Sequence, residues 1–270
     1  MLASAWHQRG AALLLLLILI LGFGATTFLS AWNNSSAKAM QEQRTRLALQ
    51  KAKEAVIGYA AVHKTKPGTL ICPEQLSPSA PIEGQAGSNC TGANNVLGRL
   101  PWRTLKIDNL VDEWGEPLWY VVSSGFGSQS TITNTTTGNI TVDGTLNAAV
   151  ALIIAPGPPL PNQTRTQPSP TNPPQAVNYL DQSNAGLLYN SFVTRGPQTT
   201  YNDRIIIITK AELFKVVDKR ILGEMRGTLT ANGVLQYYND NANTFPPNGT
   251  PLRTANKKKP FPLFTAAEFG

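Results

Sequence analysis

The period of the hydrophobic pattern changes along the chain. From Ala11 to Trp32 no side chain is charged, AALLLLLILILGFGATTFLSAW, and at 1.5 Å per residue such a helix spans ~33 Å, about the thickness of a bilayer's hydrocarbon core. This pattern predicts a transmembrane helix at 11–32. A cleaved secretory signal is the competing reading, since Leu13 to Leu21 has the length of a signal's apolar region, but no small-x-small cleavage site precedes Trp32. After the polar patch Asn33 to Ser36, the segment 33–63 is dominated by Ala, Gln, Glu, Lys, Arg and Leu and has no Pro before Pro67, which predicts an amphipathic continuation of the same helix. Ala48, Ala52, Ala55, Val56, Tyr59 and Val62 recur every three or four residues and predict one apolar stripe packed on the rest of the chain.

Beyond the helix the period shortens. Leu118 to Val122, Ala148 to Ala155 (AAVALIIA) and Arg204 to Thr209 (RIIIIT) are short apolar runs rich in aromatic or β-branched residues, which predicts a three- or four-stranded, mainly antiparallel sheet on the first helix. The Gly-, Ser-, Thr- and Asn-rich stretch Ser123 to Thr145 and the Pro-rich stretch Pro156 to Pro174 read as surface excursions. A second helix opens near Ala211, with Leu213, Val217, Ile221 and Met225 on a four-residue ladder and Gly223, Gly227 and Gly233 weakening it. The fold class is therefore α+β. Its divisions are a leader at 1–10, the apolar helix at 11–32, its continuation at 33–63, an α+β head at 64–209 and a C-terminal helix with a basic, Pro-rich tail at 210–270. The ends of the two helices echo each other, with Tyr59 and Tyr238 each followed eight residues later by Pro67 and Pro246. An internal duplication and two helices with similar stop signals both fit so short a match.

Composition removes several chemistries. Hydrophobic residues at 41% argue against a largely disordered chain, and two Cys with two His leave little for a metal centre or a disulfide-dense scaffold. No cofactor is expected, and no Ser-His-Asp or Cys-His set can be assembled once His7 is assigned to the leader, so the chain reads as non-enzymatic. Cys72 and Cys90 flank the loop PEQLSPSAPIEGQAGSN. A disulfide there would contribute ~3 kcal/mol in an oxidising compartment; two reduced, buried thiols are the alternative. The basic residues Lys38, Arg44, Arg46, Lys51 and Lys53 follow the apolar helix while Arg9 precedes it, but long domains translocate regardless of charge. His63 is placed at the end of the first helix, against terminal carbonyls. Asn239, Asn241 and Asn243 alternate as calcium-loop ligands would, with Asp240 out of phase; a simple turn accounts for them as well. Gly125 and Gly127 lack the third glycine and the helix of a phosphate cradle. The net charge of +7, with Lys64, Lys66 and Lys257 to Lys259, reads as a solvated basic tail, with nucleic-acid binding as the sharper alternative.

The leader Gln8-Arg9-Gly10, the small residue Ala11 with an apolar helix starting at once, and the long amphipathic continuation together resemble the type IV prepilin and pseudopilin family. The resemblance implies that a prepilin peptidase cuts after Gly10 and methylates Ala11, with Arg9 supplying the leader's charge. Most family members carry a glutamate as the fifth mature residue, where this chain has Leu15; the substitution is typical of minor pilins and of the apex pseudopilin. The run from Asp112 to Val122 looks like the D-x-W-G-x-P turn and strand of pseudopilin headgroups, carried here by Asp112, Trp114, Gly115 and Pro117 as scaffold. Taken together, the resemblance implies a structural subunit of a type IV pilus or type II secretion pseudopilus, minor or at the tip. Its implied partners are other pilin or pseudopilin subunits, the prepilin peptidase and inner membrane lipid. Its implied location is the inner membrane, single-pass with a cytoplasmic N-terminus and periplasmic head, before assembly. The alternative is a membrane-anchored periplasmic module that binds DNA or a cell-wall polymer.

Overall fold

The computed structural model describes residues 5–88, 90, 92, 94–127, 132–133, 135–186, 189–196 and 198–226, with side chains described at 14–20 and 38–61 of the first helix and 210–223 of the last. Helix α1 runs Ala5–Ala61, 57 residues with no Pro. Its buried side follows the helical period through Thr45, Leu49, Ala52, Val56 and Ala60, each at most 5% exposed. Val62, expected on this stripe, is 61% exposed, because the helix stops at Ala61 and the chain turns off. Gly68, at φ +91°, donates its N–H to the Ala60 carbonyl at 2.9 Å, and Arg220 donates to the Ala61 carbonyl, so the last turn's acceptors are used.

One expectation is corrected. Among the described residues no helix is long and apolar enough to cross a membrane. The transmembrane segment at 11–32, the transmembrane-plus-amphipathic helix that defined the fold class, and the single-pass placement in the inner membrane are therefore not retained.

The remaining architecture is α+β. Strands β1 (Val96–Arg99), β2 (Trp119–Val122), β5 (Ala151–Ala155) and β7 (Arg204–Ile208) form one antiparallel sheet in the order β1-β2-β5-β7. β2 and β5 are buried at every position. Aligned side chains from neighbouring strands make two apolar faces. Tyr120, Ile153 and Ile206 stand in register on the face that meets α1, while Trp119, Ile154 and Ile205 stand in register on the other. The second face has its own cover, residues 156–203, which contributes Tyr179, Leu180 and Phe192 to a second apolar cluster.

The same face also meets a second sheet that the loop assignment of Ser123 to Thr145 did not anticipate. β3 (Ile140–Val142) and β4 (Thr145–Ala149) form a hairpin, and β6 (Ser191–Phe192) pairs with β3 in parallel. Asp143 and Gly144 turn the hairpin at φ 49° and 80°, the Asp-Gly chemistry of a primed two-residue turn. After the short helix α2 (Trp102–Leu105) and the strands, α3 spans Lys210–Arg226. It opens with a reciprocal capping box, the Glu212 N–H donating to Thr209 Oγ1 at 3.2 Å and the Thr209 N–H to Glu212 Oε2 at 2.9 Å. Leu213 and Val217 are buried as the ladder predicts, but Ile221 is 37% exposed. The second half of the duplication, the Asn-rich turn at Asn239 to Asn243 with Asp240, and Lys257 to Lys259 lie outside the described residues.

Cys72 and Cys90 form a disulfide with Cα atoms 5.5 Å apart and a sequence separation of 18. Gly127 packs against it so closely that a Cβ there would come within 2.5 Å of the Cys90 carbonyl. Reduction is expected to cost about 3 kcal/mol through the freed loop, read as a lower urea midpoint for the reduced protein. An unchanged midpoint would show that the loop is held by its other contacts.

Candidate functional site

Two parts of the molecule are candidates: the outward face of α1 and a buried polar centre beneath the cover. On α1, Leu14 to Ile20 are seven consecutive apolar side chains between 53% and 63% exposed, with Leu15 at 63%. Arg9, Gly10 and Ala11 lie on the helical backbone, and their side chains are outside those described.

The turn at Asp112 ties the layers together. Its Oδ1 accepts the N–H groups of Trp114 at 2.8 Å and Glu116 at 3.0 Å, and its Oδ2 accepts that of Gly157 at 2.9 Å, at the start of the cover. Burial pushes the Asp112 carboxyl up, and these three N–H groups pull it back. Gly115 supplies the positive φ of the turn, 83°, and Val111 bridges Pro117 across it. The Glu113 N–H donates to Thr45 Oγ1 at 3.1 Å, so the same turn also holds α1. Trp114 is 55% exposed.

The polar centre was not singled out from the sequence. Arg165, in the Pro-rich stretch, donates to the carbonyls of Gly157, Asn178 and Tyr179 and to Gln163 Oε1, and pairs with Glu116 at 3.1 Å. The Tyr179 ring lies 5.1 Å from the Arg165 guanidinium, 5.6 Å from that of Arg99, and 5.4 Å from the Trp119 ring. Nearby, Asp181 and Asp203 hold each other's backbone: the Asp181 N–H donates to Asp203 Oδ2 at 2.9 Å and the Asp203 N–H to Asp181 Oδ2 at 3.1 Å. Asn184 and Gln163 add side-chain amides to the same carboxylates. Burial, then the neighbouring Asp181 charge, raises the Asp203 carboxyl well above the usual carboxylate range. The one sequence cue was Asn202-Asp203 before a strand, which reads equally as a turn.

At the edge of the sheet Glu74 bridges Arg99 of β1, its N–H donating to the Arg99 carbonyl at 2.9 Å. Glu74, Arg99 and Trp119 line a cavity of about 140 Å³. The Arg99 guanidinium pairs with Glu83 at 3.0 Å. Gly98 lets the strand approach, since a Cβ there would meet the Glu74 carbonyl oxygen at 2.1 Å.

The remaining chemical candidates resolve into packing. His63 Nδ1 accepts the Lys66 N–H at 3.1 Å rather than meeting helix carbonyls, and its ring stands edge-on to Tyr59. Gly125 sits in a turn at φ 86°. Among the described residues there is no group of three or more His, Cys, Asp or Glu that could hold a metal ion. What the arrangement does chemically is hold the cover in register, through charge-assisted hydrogen bonds out of water. Compared with protein-family models, with curated proteins and with solved structures, the chain matches none.

Glu74 gives the edge of the sheet a pH dependence. Burial lifts its carboxyl from 4.5 to about 7, against the Gly84 N–H and the Arg99 charge that lower it. The folded state keeps the proton that the unfolded chain releases, so this contribution is complete below 4.5 and is lost as pH rises through about 7. Glu74→Gln, which mimics the protonated form, is expected to flatten the fall in stability across that window, an effect of at most about 3 kcal/mol. Urea midpoints of both proteins from pH 4 to 8 test this; parallel curves would remove Glu74 as the source.

Proposed function

We propose that this chain is a non-enzymatic structural subunit of a type IV pilus or type II secretion pseudopilus, of the minor or tip kind. The supporting observation is the asymmetry of α1. One continuous helix buries one face in the head from Thr45 to Ala61, yet carries seven apolar side chains more than half exposed at 14–20. Covering each of them is worth about 1 to 2 kcal/mol, and the period and straight backbone of a helix suit a bundle of other subunits' helices, where dispersion packing does the work. The head serves as a rigid mount, since its turn at Asp112 fixes the direction of α1.

Processing after Gly10 by a prepilin peptidase belongs to this reading, as does a low copy number from Leu15, which offers no carboxylate to a neighbour's terminal amine. The intact mass of the native protein is expected to match a chain beginning at methylated Ala11, with the precursor persisting when Gly10 is replaced by a bulky residue. A mass that retains Met1, or starts near Trp32, would overturn the assignment. In sheared filaments the subunit is expected at a small fraction of the major pilin; near-equal amounts by mass spectrometry would contradict the tip or minor position.

A further inference from the structure

β7 is the last strand of its sheet, and among the described residues three of the four outward hydrogen-bonding groups of Ile205 and Ile207 are open. In an antiparallel pair successive residues point their N–H and C=O groups alternately to the two sides. The Ile208 carbonyl accepts the Val150 N–H at 2.9 Å and so faces β5, while the Ile207 carbonyl is taken from the outer side by Lys53 Nζ at 2.7 Å. By alternation Ile206 faces β5, and Ile205 presents both N–H and C=O outward, with the Ile207 N–H two residues on. Among the described residues no group bonds these three atoms. Lys53, held by Glu212 at 2.6 Å, closes one end of the open stretch, and the Arg204–Glu42 pair at 3.5 Å marks the other.

Beside this edge runs a groove of about 540 Å³ between α1 and β7, lined by Leu47, Leu49, Ile205 and Ile206 with Arg46, Gln43 and Gln50 at its rim. Leu47 is 61% exposed. Arg46 is exposed and makes no ion pair among the described residues. Unpaired strand groups at two-residue spacing fit an extended backbone, and an added strand puts alternate side chains on the face where the groove lies. A second copy offering its own β7 would bring another Arg46 to the same edge, so the rim's charge favours acid on the incoming segment.

We propose that the outer edge of β7 is a strand-addition site for a short extended segment of another polypeptide, its backbone on Ile205 and Ile207, its aliphatic side chains in the Leu47–Leu49–Ile206 groove and its acidic residues facing Arg46. The site is separate from the exposed segment 14–20 and does not depend on what covers that segment.

The test is fluorescence anisotropy of the full-length chain with a labelled, end-capped hexapeptide of alternating glutamate and valine. Saturable binding is expected. Ile205→Pro removes only the outward N–H, which an edge strand tolerates, and is expected to weaken binding about fivefold, the value of one hydrogen bond. N-methylation of alternate peptide residues acts on the same bonds from the other side, and keeps the test open if the proline variant misfolds. Arg46→Glu, on the exposed face of α1, is expected to reverse the preference toward a lysine-valine peptide. The proposal is overturned if no saturable binding is seen, or if binding survives both Ile205→Pro and N-methylation. It is overturned as well if the chain alone dimerises in a way that Ile205→Pro abolishes, which would make a second copy the occupant.

Discussion

A sheet that is apolar on both faces has to be covered twice, and the order of elements in this chain follows from that constraint. β2 and β5 have no water-facing side, as in sheets flanked by two layers. One layer is α1, whose Ala52 and Ala60 share an apolar cluster with Tyr120 and Ile153. The other is built from residues 156–203, which by composition have too few apolar residues to form a core alone. They bury Tyr179, Leu180 and Phe192 against Trp119 and Ile154 and bind many of their polar groups to one another through Arg165, Gln163, Asn184 and two carboxylates. The Asp112 turn is where the two layers meet, since it reaches Thr45 on one side and Gly157 on the other.

Burial of so much polar chemistry has a directional cost. Arg165 is satisfied by carbonyls, an amide oxygen and Glu116, and a fully used network of this kind specifies one register. Asp203 and Glu74 are different, because desolvation outweighs what their neighbours return. Asp203 lies in the second layer and Glu74 at the edge of the sheet, so the stability of both regions depends on proton concentration.

The strands with runs of β-branched or aromatic residues were legible: LWYVV, AAVALIIA and RIIIIT stand where β2, β5 and β7 are, and the Leu213–Val217 ladder is the buried side of α3. The second sheet was hidden by composition. ITVDGTLNAA contains the Asp-Gly signal of a hairpin, but its surroundings of Gly, Ser, Thr and Asn read as loop, and only the apolar underside of the first sheet gives Ile140 and Val142 something to bury. The cover was illegible for the same reason: Arg165 with Glu116, and Asp181 with Asp203, become partners through folding, with no spacing that announces it. Val62 departs from the stripe because periodicity does not say where a helix ends. The span at 11–32 rested on length and hydropathy alone, and the described residues contain no helix that meets both.

The proposed role depends on α1 having two fates along one helix, a layer of the head at 45–61 and an exposed apolar surface at 14–20. Amide hydrogen exchange followed residue by residue in the isolated chain and in the assembled filament tests this most directly. Amides at 45–61 are expected to be protected like those of β2 and β5 in both states, and amides at 14–20 to gain protection only on assembly. Equal protection at 14–20 in the isolated chain and the filament would contradict it.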